Sequence, residues 1–139
     1  MLDLIIDEHV PVAAVINEPD EQTFKELKAA GVTIMYREIH PNPEGTVKAV
    51  NYGADLVVAT GMDQGGEVPD TDKGTFSILP SIVDAVDGRV PVLAAGGIVD
   101  IRSVRAAQAL GAQGVYVGTR FVVSQENPAA QAVKERIVN

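Results

Sequence analysis

The chain has 139 residues, 46% of them hydrophobic and 22% charged, enough for one domain with its own core but short of the ~250 residues of a complete eight-stranded β/α barrel. The absence of cysteine excludes disulfides, thiolate metal sites and cysteine nucleophiles, and no apolar stretch approaches the ~18 residues of a membrane span. A formal net charge of −8 repels nucleic-acid phosphates and anionic lipid, so a phosphate ligand must be held locally by backbone N–H groups and a few cations.

The run Leu2 to Ile6 is interrupted by Asp3 and followed by Asp7 and Glu8. It reads as a stub of helix, not a signal peptide, and the cytoplasm is the expected compartment. Pro11 to Ile16 predicts a strand buried on both faces. Asp20 is placed to cap a helix with Phe24 and Leu27 on its apolar stripe and Gly31 as its stop. Val32 to Tyr36 predicts a second strand. Asn42-Pro43 opens the next helix, with Val47 and Val50 as its buried face and Gly53 at its end. Asp55 to Ala59 predicts a third strand, and a loop without periodicity runs from Thr60 to about Thr75. Ile78, Ile82, Val83 and Val86 mark a helix in which Pro80 should occupy the first turn, because proline further in breaks a helix. Val90 to Ala95 predicts a fourth strand. Asp100 caps a helix with Ile101, Val104, Ala107 and Leu110 inward and Gly111 at its end. Val115 to Val117 predicts a fifth strand and Ala129 to Ile137 a terminal helix. Five successive βα units imply parallel strands with right-handed crossovers. No composition break divides residues 1–139, which read as one domain.

Two of these strands end in glycine, at Gly96-Gly97 and at Gly118-Thr119. Such ends let a ligand approach bare main chain. The N–H groups at the start of the helix after Asp100, the Thr119 hydroxyl and the Arg120 guanidinium could all meet an anion. In β/α barrels the loops after the last two strands commonly hold a phosphate. Tight strand-to-helix turns are the structural alternative for the glycines, and a surface salt bridge the alternative for Arg120.

The segments Val90 to Ile98, Arg102, Ala109-Leu110-Gly111-Ala112, Gly114-Val115 and Val117 to Phe121, with Thr60 to Gly66 and Thr75 to Pro80 upstream, closely resemble the nitronate monooxygenase family, formerly 2-nitropropane dioxygenase. A close relative of that family is the flavin-type enoyl-acyl-carrier-protein reductase. The resemblance reaches back more weakly to Val12. It implies an FMN enzyme on a TIM-type (β/α)8 barrel, of which these five strands would be the last five. It further implies that Gly96, Gly97, Gly118 and Thr119 cradle the FMN phosphate, while Thr60, Gly61 and Gly65 meet the flavin. The reaction implied is oxidation of alkyl nitronates by dioxygen. The alternatives are the enoyl reductase activity or a non-catalytic half-barrel that binds FMN or phosphate.

The sequence departs from the family at two points. Glu67 stands where the family has histidine, and a carboxylate there could act as a general base if burial raised its pKa. Its alternative is an ordinary loop carboxylate beside Asp63, Asp70 and Asp72, whose spacing fits no standard calcium loop. His9 precedes the first strand and His40 follows the second, and neither stands at the family's histidine position. The first three βα units are also missing. The outer strands would then lack neighbours, so a second copy or another polypeptide is expected to cover the open edges.

Overall fold

The computed structural model describes residues 1–16, 18–66 and 72–138. Its elements are α1 (Leu2–Asp7), β1 (Val12–Val15), α2 (Glu21–Ala29), β2 (Thr33–Tyr36), α3 (Pro43–Tyr52), β3 (Leu56–Thr60), α4 (Thr75–Val86), β4 (Val92–Ala95), α5 (Ile101–Ala109), β5 (Gly114–Tyr116), α6 (Thr119–Val122) and α7 (Gln131–Val138). The five strands form one sheet in the order β1-β2-β3-β4-β5, and every neighbouring pair is parallel. Each strand therefore lies beside its successor in the chain, the order of a barrel wall.

Side-chain alternation separates the two faces of the sheet. Ala13, Ile34, Tyr36, Val57, Ala59, Val92 and Ala94 are buried against Phe24 and Leu27 of α2, Ala49 of α3, Ile78, Leu79, Ile82 and Val86 of α4, and Ala107 of α5. The helices pack on this face in chain order, α2 on α3, α3 on α4 and α4 on α5. The opposite face carries Val12, Ala14, Met35, Leu56, Val58 and Leu93. Val12 there is 49% exposed, so apolar surface lies open on the concave side. Strands β1 and β5 each have one edge without a partner among the described residues.

Local chemistry sets the helix ends. Asp20 accepts from the Thr23 N–H at 2.9 Å and Asn42 from the Gly45 N–H at 2.7 Å, each satisfying an otherwise orphan donor. Gly53 closes α3 in the left-handed region at φ 110°. Five expectations need correction. Strand β1, expected to be buried on both faces, buries Ala13 on one face while Val12 and Ala14 on the other are exposed, because nothing among the described residues covers the concave side there. Pro80 lies well inside α4, which begins at Thr75 and runs on to Val86. Its missing N–H forfeits one bond, and burial of Ile78, Leu79, Ile82 and Val86 holds the helix on both sides of it. The buried face of α3 is Thr46 and Ala49, with Val47 and Val50 only half-buried at its flanks. Ile101 is 59% exposed, because as the first residue of α5 it points away from the sheet, while Val104 and Leu110 pack on the core. Strand β5 begins at Gly114, one residue earlier than its apolar run, and the short α6 follows it.

A buried carboxylate sits between β2 and α3. Glu38 is 8% exposed and its Oε1 accepts from Asn42 Nδ2 at 3.0 Å, whereas its Oε2 and the nearby Tyr36 hydroxyl are buried without a partner among the described residues. Burial pushes the Glu38 carboxyl above its ordinary range, only partly opposed by its hydrogen bonds from Asn42. The folded state thus holds this proton more tightly than the unfolded chain. The Glu38 contribution is therefore most favourable at low pH and is lost as pH rises through the raised value. Glu38→Gln is expected to melt at a higher temperature than the parent at pH 8, with the difference shrinking toward pH 4. Melting curves across that range test this, and a gap that widens toward acid would contradict it.

Candidate functional site

A cavity of about 850 Å³ opens at the C-terminal ends of the strands. Its floor and walls come from Arg37 after β2, Asp63 to Gly66 after β3, Ala95 to Val99 after β4, and Tyr116 to Arg120 at and after β5. Val99 and Tyr116 keep 60% and 41% of their surface exposed and give it an apolar rim.

One side chain ties three of these segments together. Thr75, fully buried at the start of α4, donates its hydroxyl to the Ala95 carbonyl at 2.7 Å and accepts from the Gly61 N–H at 3.1 Å. Its own N–H donates to the Asp63 carboxylate. Met62 N–H adds a bond to the Lys73 carbonyl at 3.0 Å. The loop after β3 is thereby fastened to the end of β4, directly beneath Gly96. A Cβ on Gly96 would lie 2.7 Å from the Thr75 hydroxyl oxygen, and its φ of +91° is one that side chains resist.

The glycine turn itself is open. Among the described residues, a Cβ on Gly97 would find only Asp63 Cβ at 3.5 Å, and one on Gly118 would meet nothing within 4 Å. Gly65 lies close to Thr119, whose Oγ1 would be 3.2 Å from an added Cβ. The fold therefore brings Gly65, Gly96, Gly97, Gly118 and Thr119 to one cavity. Thr60 and Gly61 do not line it. Thr60 is fully buried at the end of β3 with its hydroxyl unpartnered among the described residues, and Gly61 is packed on the Gly74–Thr75 backbone.

The start of α5 differs from the expected open anion site. Asp100 accepts from the N–H groups of Arg102 and Ser103 at 2.9 and 3.4 Å, and the Ser103 hydroxyl accepts from Val99 and Asp100 N–H at 3.0 and 3.1 Å. This reciprocal cap consumes the donors that a ligand would otherwise use. The glycine turns, not the helix start, supply the available main chain. Arg120 donates from Nη1 to the Val99 carbonyl at 2.8 Å and so joins the loops after β4 and β5, where a surface ion pair was the simpler expectation. Glu67 and Asp70 lie outside the described residues. His9 and His40 are both exposed. Among the described residues no group of three His, Asp or Glu side chains is placed to hold a metal.

Two contributors escaped sequence reasoning. Thr75 looks like the last residue of a loop, and Arg37 like a surface cation after a strand. The strand alternation was a usable signal for Arg37. Its N–H donates to the Val15 carbonyl at 2.8 Å, extending the β1–β2 ladder by one residue, so its side chain falls on the concave face with Thr33 and Met35.

Comparison with known proteins gives a consistent picture. The family model described as nitronate monooxygenase matches residues 1–139. A protein of Rhodococcus jostii (strain RHA1), named (3aS,4S,5R,7aS)-5-hydroxy-7a-methyl-1-oxo-octahydro-1H-indene-4-carboxyl-CoA dehydrogenase, is 40% identical over 136 residues, covering 96% of this chain and 36% of that protein. A probable nitronate monooxygenase of Staphylococcus aureus (strain Newman) is 37% identical over 154 residues, covering 99% of this chain and 40% of that protein. The solved structure of FabK from Thermotoga maritima superposes with a TM-score of 0.89 at 35% identity, covering 99% of this chain and 42% of that one. The sheet is accordingly an arc of a TIM-type barrel, and the chain spans about two fifths of the length of these relatives.

Proposed function

The chain belongs to the nitronate monooxygenase family, and on that premise we propose that it is the phosphate-binding part of an FMN-dependent oxidoreductase that oxidises alkyl nitronates with dioxygen. The observation that carries this reading is the unobstructed main chain of Gly97 and Gly118 facing one cavity. In this reading the N–H groups of Gly96, Gly97, Gly118 and Thr119, with the Thr119 hydroxyl, hold the FMN phosphate. Gly65 lies beside the flavin ring, while Thr60 and Gly61, packed beneath the cavity, position the loop that carries it. FMN, when bound, supplies the ring that accepts electrons. Glu67, at the family's histidine position, is the proposed group for proton handling or substrate placement. Residues 1–139 act as one partial-barrel domain in the cytoplasm, and the bare edges of β1 and β5 close against a second copy or another polypeptide. A second reading, a thioester as substrate, is favoured by the carboxyl-CoA named for the Rhodococcus relative.

Gly118 provides the test. Its φ of −117° suits alanine and the space around it is empty of described residues, so Gly118→Ala should fold as the parent does. The added methyl would intrude on a bound phosphate. The parent is expected to take up FMN and turn yellow, and the variant to bind FMN at least ~10-fold more weakly, ~1.4 kcal/mol, with riboflavin affinity unchanged. Absence of FMN uptake by the parent would sink the reading. Uptake without nitronate turnover would leave a binding module. Sedimentation of the same samples should show concentration-dependent association, and a clean monomer at high concentration would count against the covering partner.

A further inference from the structure

The charged groups around the cavity are committed to one another's loops. Asp63 accepts from the Thr75 N–H, Arg37 Nη2 donates to Gln64 Oε1 and Arg120 Nη1 to the Val99 carbonyl. The two ends of the sheet, each with an edge unpartnered among the described residues, carry opposite charge. At the β1 end, residues 1–24 hold six carboxylates and neither lysine nor arginine. All are exposed, Asp3, Asp7 and Glu8 on and just after α1, and Glu18, Asp20 and Glu21 around the start of α2. Helix α1 packs on α2 with Leu2 and Ile5 against the core, so this acidic surface flanks the open edge of β1. At the β5 end, residues 101–139 hold five lysines or arginines against two glutamates. Helix α5 packs on β5, and Lys134 Nζ ties α7 to the segment after β5 by donating to the Ser124 and Asn127 carbonyls at 2.6 and 2.7 Å. Arg105 on α5 and Arg136 on α7 are exposed. Apolar side chains are exposed at both ends, Leu4, Val12 and Ile16 at the first and Tyr116, Phe121 and Ile137 at the second.

We propose that a second copy of this chain covers the open edges, joined head to tail, with the acidic β1 end of one copy against the basic β5 end of the next. This rests on the reading above that a polypeptide covers those edges, and gives that polypeptide its identity and orientation. The free edges of β1 and β5 are opposite sides of one parallel sheet, so β1 of one copy beside β5 of another continues the sheet in the same order and direction. Pairing β1 with β1 would set six carboxylates against six, and pairing β5 with β5 would set two basic surfaces together. Charge therefore disfavours both like pairings and favours the unlike one. A basic partner would suit only the β1 end and an acidic partner only the β5 end, whereas a second copy suits both. The exposed apolar side chains supply the burial, and the charges select which edges meet.

Sedimentation equilibrium on the flavin-free chain is the test. The parent is expected to associate as concentration rises, and to do so at least ~10-fold more weakly at ~0.5 M salt than at ~0.05 M, because exposed charges are screened. Two charge-reversed proteins then spoil one end each. Asp3→Lys/Asp7→Lys/Glu8→Lys removes the acidic character of the β1 end, and Arg105→Glu/Arg136→Glu the basic character of the β5 end. All five side chains are exposed, so both proteins should fold. Alone, each should associate at least ~10-fold more weakly than the parent. An equimolar mixture restores one contact between an unaltered β1 end and an unaltered β5 end, and should dimerise more tightly than either protein alone. A parent that stays monomeric at high concentration, as a different partner would leave it, overturns the proposal. So does association that salt leaves unchanged, either reversed protein associating as the parent does, or a mixture no tighter than its components. The salt series on the parent carries the test if a reversed protein fails to fold. No measurement here uses FMN, so a parent that takes up no cofactor counts against the functional reading alone.

Discussion

Gly61→Ala is expected to prevent this chain from folding, or to leave it destabilised by about 4 kcal/mol or more. A Cβ at this position would lie 2.3 Å from both Gly74 C and Thr75 N and 2.7 Å from the Lys73 carbonyl oxygen. Those atoms are main chain, so no rotamer change can relieve the contact. The Met62 to Lys73 hydrogen bond and the Thr75 bond to Gly61 hold the two segments in that proximity. The penalty is purely steric, because Gly61 is not among the residues at positive φ. Against a usual stability of ~5–15 kcal/mol, such a loss removes much of the margin. Gly88→Ala is the control: its φ is +68° but among the described residues nothing lies within 4 Å of an added Cβ, so only the torsional cost of about 1 kcal/mol applies. Soluble yield and urea unfolding check both. A Gly61→Ala protein melting within a few degrees of the parent would show that the loop accommodates a side chain.

Thr75→Val should cost roughly 2–5 kcal/mol with little change of volume. The substitution leaves the Gly61 N–H and the Ala95 carbonyl facing a methyl group. Each lost partner of a buried backbone group costs about 1–3 kcal/mol. Thr75→Ser keeps the hydroxyl and should remain within ~1 kcal/mol of the parent, less a small loss of packing. Urea midpoints at constant slope give the comparison. Equal midpoints for Val and Ser would mean that packing, not hydrogen bonding, fixes this threonine.

The architecture was legible because its signals are local. Asp20, Asn42 and Asp100 each cap the helix that their sequence position implies. The glycine stops and the apolar runs of the strands divide the chain at nearly the observed places. Pro80 misled because a proline rule assumes that local geometry governs, whereas burial of α4 on both sides of it governs here. Ile101 misled because the helical stripe says nothing about the angle at which the first turn meets the sheet. The candidate site was legible in its glycines, which announce close approach to the main chain. It was illegible in Thr75, Arg37 and Glu38, since each acquires its role from segments far away in the chain. A hydroxyl between two loops, a fork beside a glutamine and a carboxylate beneath a helix start leave no local pattern.

The consecutive order of the strands bears on how the chain reaches this structure. Every strand pairs with the next one formed, so no pairing waits for distant ends to meet. Such local connectivity favours rapid assembly by stepwise extension of the sheet. The pairing of Val57 with Val92 encloses the longest stretch of chain, the one that carries Gly61 and Thr75. Closing that loop is the entropically dearest step. The Thr75 bridge from Gly61 to Ala95 spans the same gap, and so it belongs to the event that joins the β1–β3 half of the sheet to the β4–β5 half.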